Sequence, residues 1–451
     1  MGAMMVSEYS AAEPFDIVGI GFGPANLALA IAIEEHNADA PPNRRIRARF
    51  VERQLEFGWH RGMLLDGTTM QIAFPKDLAT FRNPTSSYSF IAYLFARGRL
   101  VDFVNHQTFY PTRAEFHDYL EWAADKVGAD VDYGTAVRHV EGVKRANSVV
   151  DLLAVETSAG DTLYTRNVAY GAGLRERIPD WATTSLRCFH NHQFLHRVAK
   201  LPEPVHNRFV VLGAGQSAAE VVQYLHSNFP KAEVHSVFTR FGYSPADDSP
   251  YANRIFDPSA VDELHRAPDA ERRRLLGLHR STNYAVVDLE LINELYATEY
   301  QERVRGQRRL FMRRASDVVG VRDIADGVEV EVRSNLDGLT DTLACDAIVL
   351  ATGFVPAPLV PMFGDLVPNG VETPAVARDY RMHTESNVTC GIYLQGGTED
   401  SHGLTSSLLS NVAVRSGEIV KSVVDRREGR VRSVSALARF PAKEAVTNDV
   451  R

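Results

Sequence analysis

The chain has 451 residues, 45% of them apolar and 24% charged, as expected of a soluble globular protein of two or three domains, and its formal charge of -8 argues against nucleic acid as a partner. Cys188, Cys345 and Cys390 lie far apart with no C-x-x-C, which gives no metal site and no disulfide frame and suits a reducing cytoplasm. No apolar run reaches the ~18–20 residues needed to span a bilayer, and the first ten residues lack the basic flank and apolar stretch of a signal peptide.

Residues 1–13 read as a disordered start. The strand "FDIVGI", 15–20, runs into Gly21-Phe22-Gly23-Pro24 and the apolar helix "ANLALAIAIEEH". A second strand, "IRARFVER", 46–53, carries Glu52 near its end, so a β-α-β unit is expected. Residues 54–90 are rich in aromatic and turn residues, and a long irregular stretch of this kind is often functional. Helix-like runs follow at 88–97 and 112–127, then alternating strands at 136–156 and 161–170. A second β-α unit begins at "RFVVLGAGQSAAEVVQYLHSNF", 208–229, and leads into the strand "AEVHSVFTR", 232–240. Residues 258–305 look largely helical, interrupted by "HRSTNYAVVD". Strands return at 317–349, the last being "CDAIVLATGFVP". The strand "GIYLQGG" and a helix over "SHGLTSSLLSNVAVRSGEIV" follow.

The glycine loops carry the first functional argument. Gly21 and Gly23 permit a tight turn and close approach of a diphosphate to backbone N–H groups, and the helix N-terminus adds its dipole. Glu52 would accept hydrogen bonds from a ribose. In the second loop Gly213 and Gly215 lead to Gln216 and Ser217, and the following strand ends in Arg240. A cation there favours the 2′-phosphate of NADPH; the plainer reading is a solvated arginine. Two dinucleotide folds plus the late "ATGF", 351–354, describe an α/β flavin enzyme reduced by a pyridine nucleotide. The FAD domain would be discontinuous: 14–200, then an NADPH domain at 205–345 with a helical substrate segment at about 247–305, then a return at 346–430 closed by the ATG strand. Residues 431–451 would be a C-terminal tail.

Reductases, Baeyer–Villiger enzymes and N-hydroxylases share that plan. More specific text chooses among them: "GIGFGPANLALA", "FGWHRGM", "MQIAFPKDLATFRNPTSSYSF", "LGAGQSAAE", "DDSPYANRIF", "STNYAVVD" and "SHGLTSSLLS". Together these resemble the microbial N-hydroxylating flavin monooxygenases, and among them the L-ornithine N5-monooxygenase group, from about residue 14 to 425. Asn26, odd for a G-x-G-x-x-G loop, fits that family's G-x-G-P-x-N form.

The resemblance implies FAD, NADPH, O₂ and L-ornithine, a C4a-hydroperoxyflavin, and N5-hydroxyornithine as product for siderophore or related peptide biosynthesis. It implies a homotetramer, and the cysteine usage and apolar runs lead to the cytoplasm, no membrane and no metal. It assigns the substrate carboxylate to Lys76, which alone would read as a solvated face. Gln71, Trp59, His60 and Val137 become FAD contacts beside Gly21, Gly23, Pro24, Asn26 and Glu52; Trp59 alone would read as core. Asn253 and Asn283, plainly read as turn residues, become contacts of substrate and NADPH. Neutral amides there orient a zwitterion without raising the pKa of the attacking amine, as a carboxylate would. Ser407, Leu408 and Leu409 would approach the flavin, and Ser410 would lie near the reacting amine, so that Asn283 and Ser410 are the catalytic candidates; the plainer reading is a serine cap with a leucine core face. A lysine N6-hydroxylase or diamine hydroxylase is the nearest rival, and a non-catalytic flavin sensor the rival from another class. One methylene in a pocket is worth only ~1–3 kcal/mol and leaves little trace in sequence.

Overall fold

The computed structural model describes residues 13–144, 148–202, 207–282, 285–368, 371 and 373–429. Each glycine loop ends the central strand of its own five-stranded parallel sheet. The first sheet runs Gly391–Leu394, Asn167–Tyr170, Ile17–Ile20, Ala48–Val51, Val131–Asp132. The second runs Leu310–Arg313, Glu233–Val237, Arg208–Leu212, Ala347–Leu350, Cys188–His190. Their central strands, "IVGI", "RFVVL" and "AIVL", are apolar almost throughout and buried on both faces, which is the pattern a parallel sheet covered by helices requires.

Helix Pro24–Asp39 starts with proline at its first position, where the fixed φ suits a helix and the missing N–H costs nothing. It is buried from Leu27 to Ile33 and lies against Val412–Arg427 and Arg113–Lys126. Phe90, Tyr93, Phe116 and Tyr119 fill the core beside it. A second core packs Phe194, Phe209, Ala218, Val222 and Leu225 under the helix Gln216–Asn228.

The expected division of the chain needs one correction. Ala347–Leu350, expected to close the first sheet, pairs instead with Phe209–Leu212 in the second. Cys188–His190, inside the stretch assigned to the first domain, joins the second sheet as well. An apolar run buried on both faces suits either sheet, so its residues carry no address. The stretch built on the second sheet therefore extends on both sides of 205–345. The chain enters it through Leu174–Glu176 and leaves through Phe354–Pro356, and these two segments pair antiparallel.

Other departures are local. The 161–170 stretch splits: Thr162–Thr165 is antiparallel to Leu153–Glu156, while Asn167–Tyr170 joins the parallel sheet. Helix Leu100–His106 was not expected. The helix expected over 401–420 is broken: a single turn, Glu399–His402, is followed by two 3₁₀ turns, Leu404–Ser407 and Leu409–Asn411, and the long helix starts at Val412. The 258–305 stretch is helical as read, in Pro258–Arg266, Asp269–Leu278 and Leu289–Arg305.

Candidate cofactor and substrate site

Gly21 has φ +80°, and a Cβ there would sit 2.6 Å from Gly171 O, so the loop can turn only with glycine. Gly23 caps the helix, and a Cβ on it would have no atom within 4 Å, which leaves open space at a helix N-terminus suited to a diphosphate. Asn26 is fully buried, and its amide nitrogen reaches Gly21 O at 2.7 Å, Ile20 O at 3.1 Å and Ala169 O at 3.3 Å. Its Oδ1 accepts from Gln395 Nε2 at 3.4 Å. The asparagine therefore ties the loop, the two neighbouring strands and the end of Gly391–Leu394 together, which a third glycine could not do. Glu52 accepts from the Phe22 N–H at 2.7 Å and the Gln54 N–H at 2.8 Å. Each carboxylate oxygen keeps a further lone pair for a ribose hydroxyl.

In the second loop Gly213 has φ +147°, and a Cβ would meet Ala351 O at 2.3 Å. Gly215 caps Gln216–Asn228. Gln216 Nε2 donates to Glu220 Oε1 at 3.0 Å, and its Oε1 accepts from the Asp288 N–H at 2.8 Å; Ser217 follows, half-buried. Arg240 is not a freely solvated arginine. Its Nη1 donates to Ala285 O at 2.7 Å and Ser244 Oγ at 3.4 Å, which holds the rest of the fork in place beside the loop.

Lys76 is half-buried, with Nζ 5.9 Å from the centroid of Phe256. Burial pushes its pKa down, and Asp257 pulls it back up. Phe256 closes the 3₁₀ turn Ala252–Phe256, so the fold brings Lys76 to the segment that carries Asn253. Asn253 donates to Asp248 O at 2.6 Å, and among the described residues no donor takes its amide oxygen. Asn283 lies outside the described residues.

His60 has φ +51° and lies edge-on to Trp59 at 4.7 Å, His192 at 5.3 Å and Phe354 at 6.1 Å. Burial, then His192 and Arg113, lower its pKa to about 3, so the ring is neutral. Trp59 packs on Phe116, and its backbone N–H meets His117 Nε2 at 3.4 Å. Gln71 is exposed. Val137 packs against the core that contains Val18, Ile20 and Val51. Leu408 is extended, Leu409 packs on the first core, and Ser410 is buried; Ser407 ends the preceding 3₁₀ turn.

A cleft of about 500 Å³ opens at the C-terminal ends of Asn167–Tyr170 and Gly391–Leu394, with Tyr170, Gly173, Gln395 and Gly397 in its wall. Ligands of open parallel sheets bind at such ends. Thr398 Oγ1, Ser406 Oγ and Asn411 Oδ1 are buried without hydrogen-bond partners on the adjoining segments. The open glycine, the two loops and these unpaired polar atoms fit FAD and NADPH. Three residues outside the sequence expectations join the site's framework: Gln395, Arg415 and Arg113. Gln395 alone had a signal, standing in the "LQGG" after an apolar strand.

Residues 13–356 match the family described as L-lysine 6-monooxygenase/L-ornithine 5-monooxygenase. The chain is 42% identical over 407 residues to the L-ornithine N(5)-monooxygenase of Burkholderia cepacia, covering 86% of this chain and 90% of that protein. The structure of the Kutzneria sp. 744 ornithine N-hydroxylase with reduced FAD, NADP⁺ and L-ornithine matches with a TM-score of 0.87 and 43% identity, over 92% of this chain and 100% of that one. The L-lysine 6-monooxygenase from Pseudomonas syringae matches with a TM-score of 0.78 and 33% identity, over 91% of this chain and 99% of that one. On this match, and with two parallel sheets that each end in a glycine loop, the chain belongs to the L-lysine 6-monooxygenase/L-ornithine 5-monooxygenase family.

Proposed function

We propose that the protein is an FAD- and NADPH-dependent monooxygenase that converts L-ornithine, NADPH, O₂ and a proton to N5-hydroxy-L-ornithine, NADP⁺ and water. The observation that carries this reading is its likeness along nearly the whole chain to ornithine hydroxylases, at 42–43% identity. Lys76, brought beside the Asn253 turn, supports an amino-acid substrate with a carboxylate. Bound flavin, once reduced by NADPH, supplies the activated oxygen.

The chain's own residues do the rest. Gly21, Gly23, Pro24 and the N-terminus of Pro24–Asp39 hold the FAD diphosphate, with Glu52 on the ribose and Asn26 fixing the loop. Trp59, His60, Gln71, Ser407, Leu408 and Leu409 wall the flavin, and Val137 is a further FAD contact. Gly213, Gly215, Gln216 and Ser217 hold the second dinucleotide, and Arg240 takes its 2′-phosphate. Lys76 and Asn253 fix the amino-acid end of ornithine. Asn283 bridges substrate and nicotinamide ribose, and Ser410 lies by the amine. A free alkyl amine has a pKa near ~10.4 and must lose its proton to attack. Neutral amides at the site leave that proton loss unopposed, and a neutral His60 adds no charge beside the ring.

The product suits siderophore or related peptide assembly, made by a cytoplasmic homotetramer. Three buried free cysteines support a reducing compartment, and no helix among the described residues is long and apolar enough to cross a membrane.

The test is product mass with ornithine, lysine and putrescine side by side, in the presence of FAD and NADPH. The reading expects one oxygen added to ornithine far faster than to the others. Hydroxylation of lysine at equal rate would move the substrate assignment, and NADPH oxidation with no hydroxylated product would remove the monooxygenase reading.

A further inference from the structure

The last helix carries an arginine where electrostatics opposes one. Arg415 is the fourth residue of Val412–Arg427 and is 2% exposed. A helix N-terminus is positive, so a cation in its first turn is disfavoured. Burying an unpaired charge is costly as well. Among the described residues no carboxylate makes an ion pair with Arg415. Glu418, nearly one turn on, attracts Arg415 across space but gives its carboxylate oxygens to two hydrogen bonds from Arg378, at 2.9 and 2.8 Å.

What Arg415 does touch is neutral. Its Nε donates to Gln395 Oε1 at 2.9 Å, an Nη1 N–H donates to Ser406 O, and the guanidinium lies 6.0 Å from the centroid of Tyr380. Gln395 passes the contact on, donating to Ala25 O at 3.1 Å and Asn26 Oδ1 at 3.4 Å. The cation thus sits where the first glycine loop, the end of Gly391–Leu394 and the turns at 404–411 meet. Ser406 Oγ and Asn411 Oδ1 are buried and unpartnered on the last of these segments, and so is the hydroxyl of Tyr380, whose ring faces the guanidinium.

We propose that Arg415 is a positioning residue whose guanidinium is the buried counter-charge of the bound flavin. It rests on the FAD reading above. A hydride carries two electrons and one proton, so its arrival leaves the flavin ring with one negative charge. A fixed cation in a water-poor interior stabilises that form over the neutral oxidised one. Through Gln395 and Ser406 the same side chain sets the glycine loop against the turns at 404–411. A site built for an anionic ring explains a cation that two energetic terms oppose in the protein alone.

The experiment compares wild type with Arg415→Met, Arg415→Gln and Arg415→Lys as holoenzymes. FAD occupancy is read by absorbance and the flavin midpoint potential by reductive titration. The neutral variants are expected to lose at least tenfold in preference for reduced over oxidised FAD, about 30 mV for a two-electron couple. Arg415→Lys is expected to keep most of it. An unchanged potential in an FAD-bound neutral variant overturns the charge role. Equal weakening of both redox forms does so too, because packing alone gives that result. A wild-type protein that binds no FAD at all removes the reading beneath the proposal instead. If neither neutral variant folds, the wild type decides: its bound FAD must have a higher potential than free FAD, and a lower one overturns the proposal.

Discussion

Arg113 and Glu220 face each other as a two-pronged pair, with Nη1–Oε2 at 2.9 Å and Nη2–Oε1 at 2.7 Å, and Glu220 is only 3% exposed. Arg113 opens the helix Arg113–Lys126 on the first sheet's side, and Glu220 lies on the helix that follows the second glycine loop. Glu220 also accepts from Gln216, which in turn accepts from the Asp288 N–H. One buried pair thus links the two halves to the first turn of the second nucleotide helix.

Breaking such a pair leaves a buried charge uncompensated, which costs about 3–5 kcal/mol. Arg113→Met is therefore expected to lower the thermal midpoint and weaken NADPH binding. The double variant Arg113→Met/Glu220→Leu should recover part of the lost stability. A single variant that melts at the wild-type temperature contradicts this.

Lys76→Ala is expected to raise the KM for ornithine by roughly ten- to a hundred-fold, the loss of a charge-assisted bond worth ~1.5–3 kcal/mol. FAD should stay bound, because Lys76 reaches toward Phe256 and Asp257 and not toward the first glycine loop. Steady-state kinetics with absorbance of the purified variant checks both halves. An unchanged KM means the carboxylate lies elsewhere.

Arg240→Ala should narrow the preference for NADPH over NADH. Its bond to Ala285 O complicates the picture, since losing it loosens the loop for either cofactor. The deciding quantity is therefore the ratio of the two kcat/KM values. Equal loss with both would show that Arg240 only holds Ala285.

Asn26→Ala removes donors to Ile20 O, Gly21 O and Ala169 O and the acceptor for Gln395. Ile20 O keeps its bond from the Gly171 N–H, so the cost is that of the lost hydrogen bonds, about 0.5–1.5 kcal/mol each. The variant should lose FAD on gel filtration and melt lower than wild type. Full FAD occupancy would show that the glycines alone define the loop.

Three histidines set an acid limit. His60 is lowered to about 3, and His235 and His402 to about 4, each mainly by burial. Their ordinary value is 6.5, so the unfolded chain binds more protons than the native one between these limits. Their contribution to stability is complete above about 6.5 and falls away as pH drops toward 4 and then 3. Thermal midpoints taken from pH 7.5 to 4.5 should fall, and His235→Phe, which stacks as His235 does on Phe311, should flatten the fall. A midpoint independent of pH over that range would be inconsistent with neutral buried rings.

The two glycine loops were legible because their chemistry is local: strand, turn and helix stand next to one another in the chain. Asn26 was visible as an oddity, but its reason was not, since it bonds to Ala169, 143 residues away. Arg113 and Glu220 stand 107 residues apart and have no mutual spacing to read. Ala347–Leu350 was recognisable as a buried strand, yet four apolar residues cannot say which sheet they complete. Arg415 was hidden inside a stretch read simply as a helix with an apolar face. Long-range pairing, and not element type, is what local pattern leaves out.

The antiparallel pairing of Leu174–Glu176 with Phe354–Pro356 has a consequence for how such a chain can be assembled. Glu176 stands opposite Phe354, so the stretch from 177 to 353 begins and ends at neighbouring points. Topologically it is one outsized hairpin loop inserted between two strands of the first sheet. A segment with adjoining ends can be exchanged, lengthened or excised without rethreading its host. The nicotinamide half is in this sense a cartridge, and a graft cut at 176 and 354 needs only a short turn to close the gap.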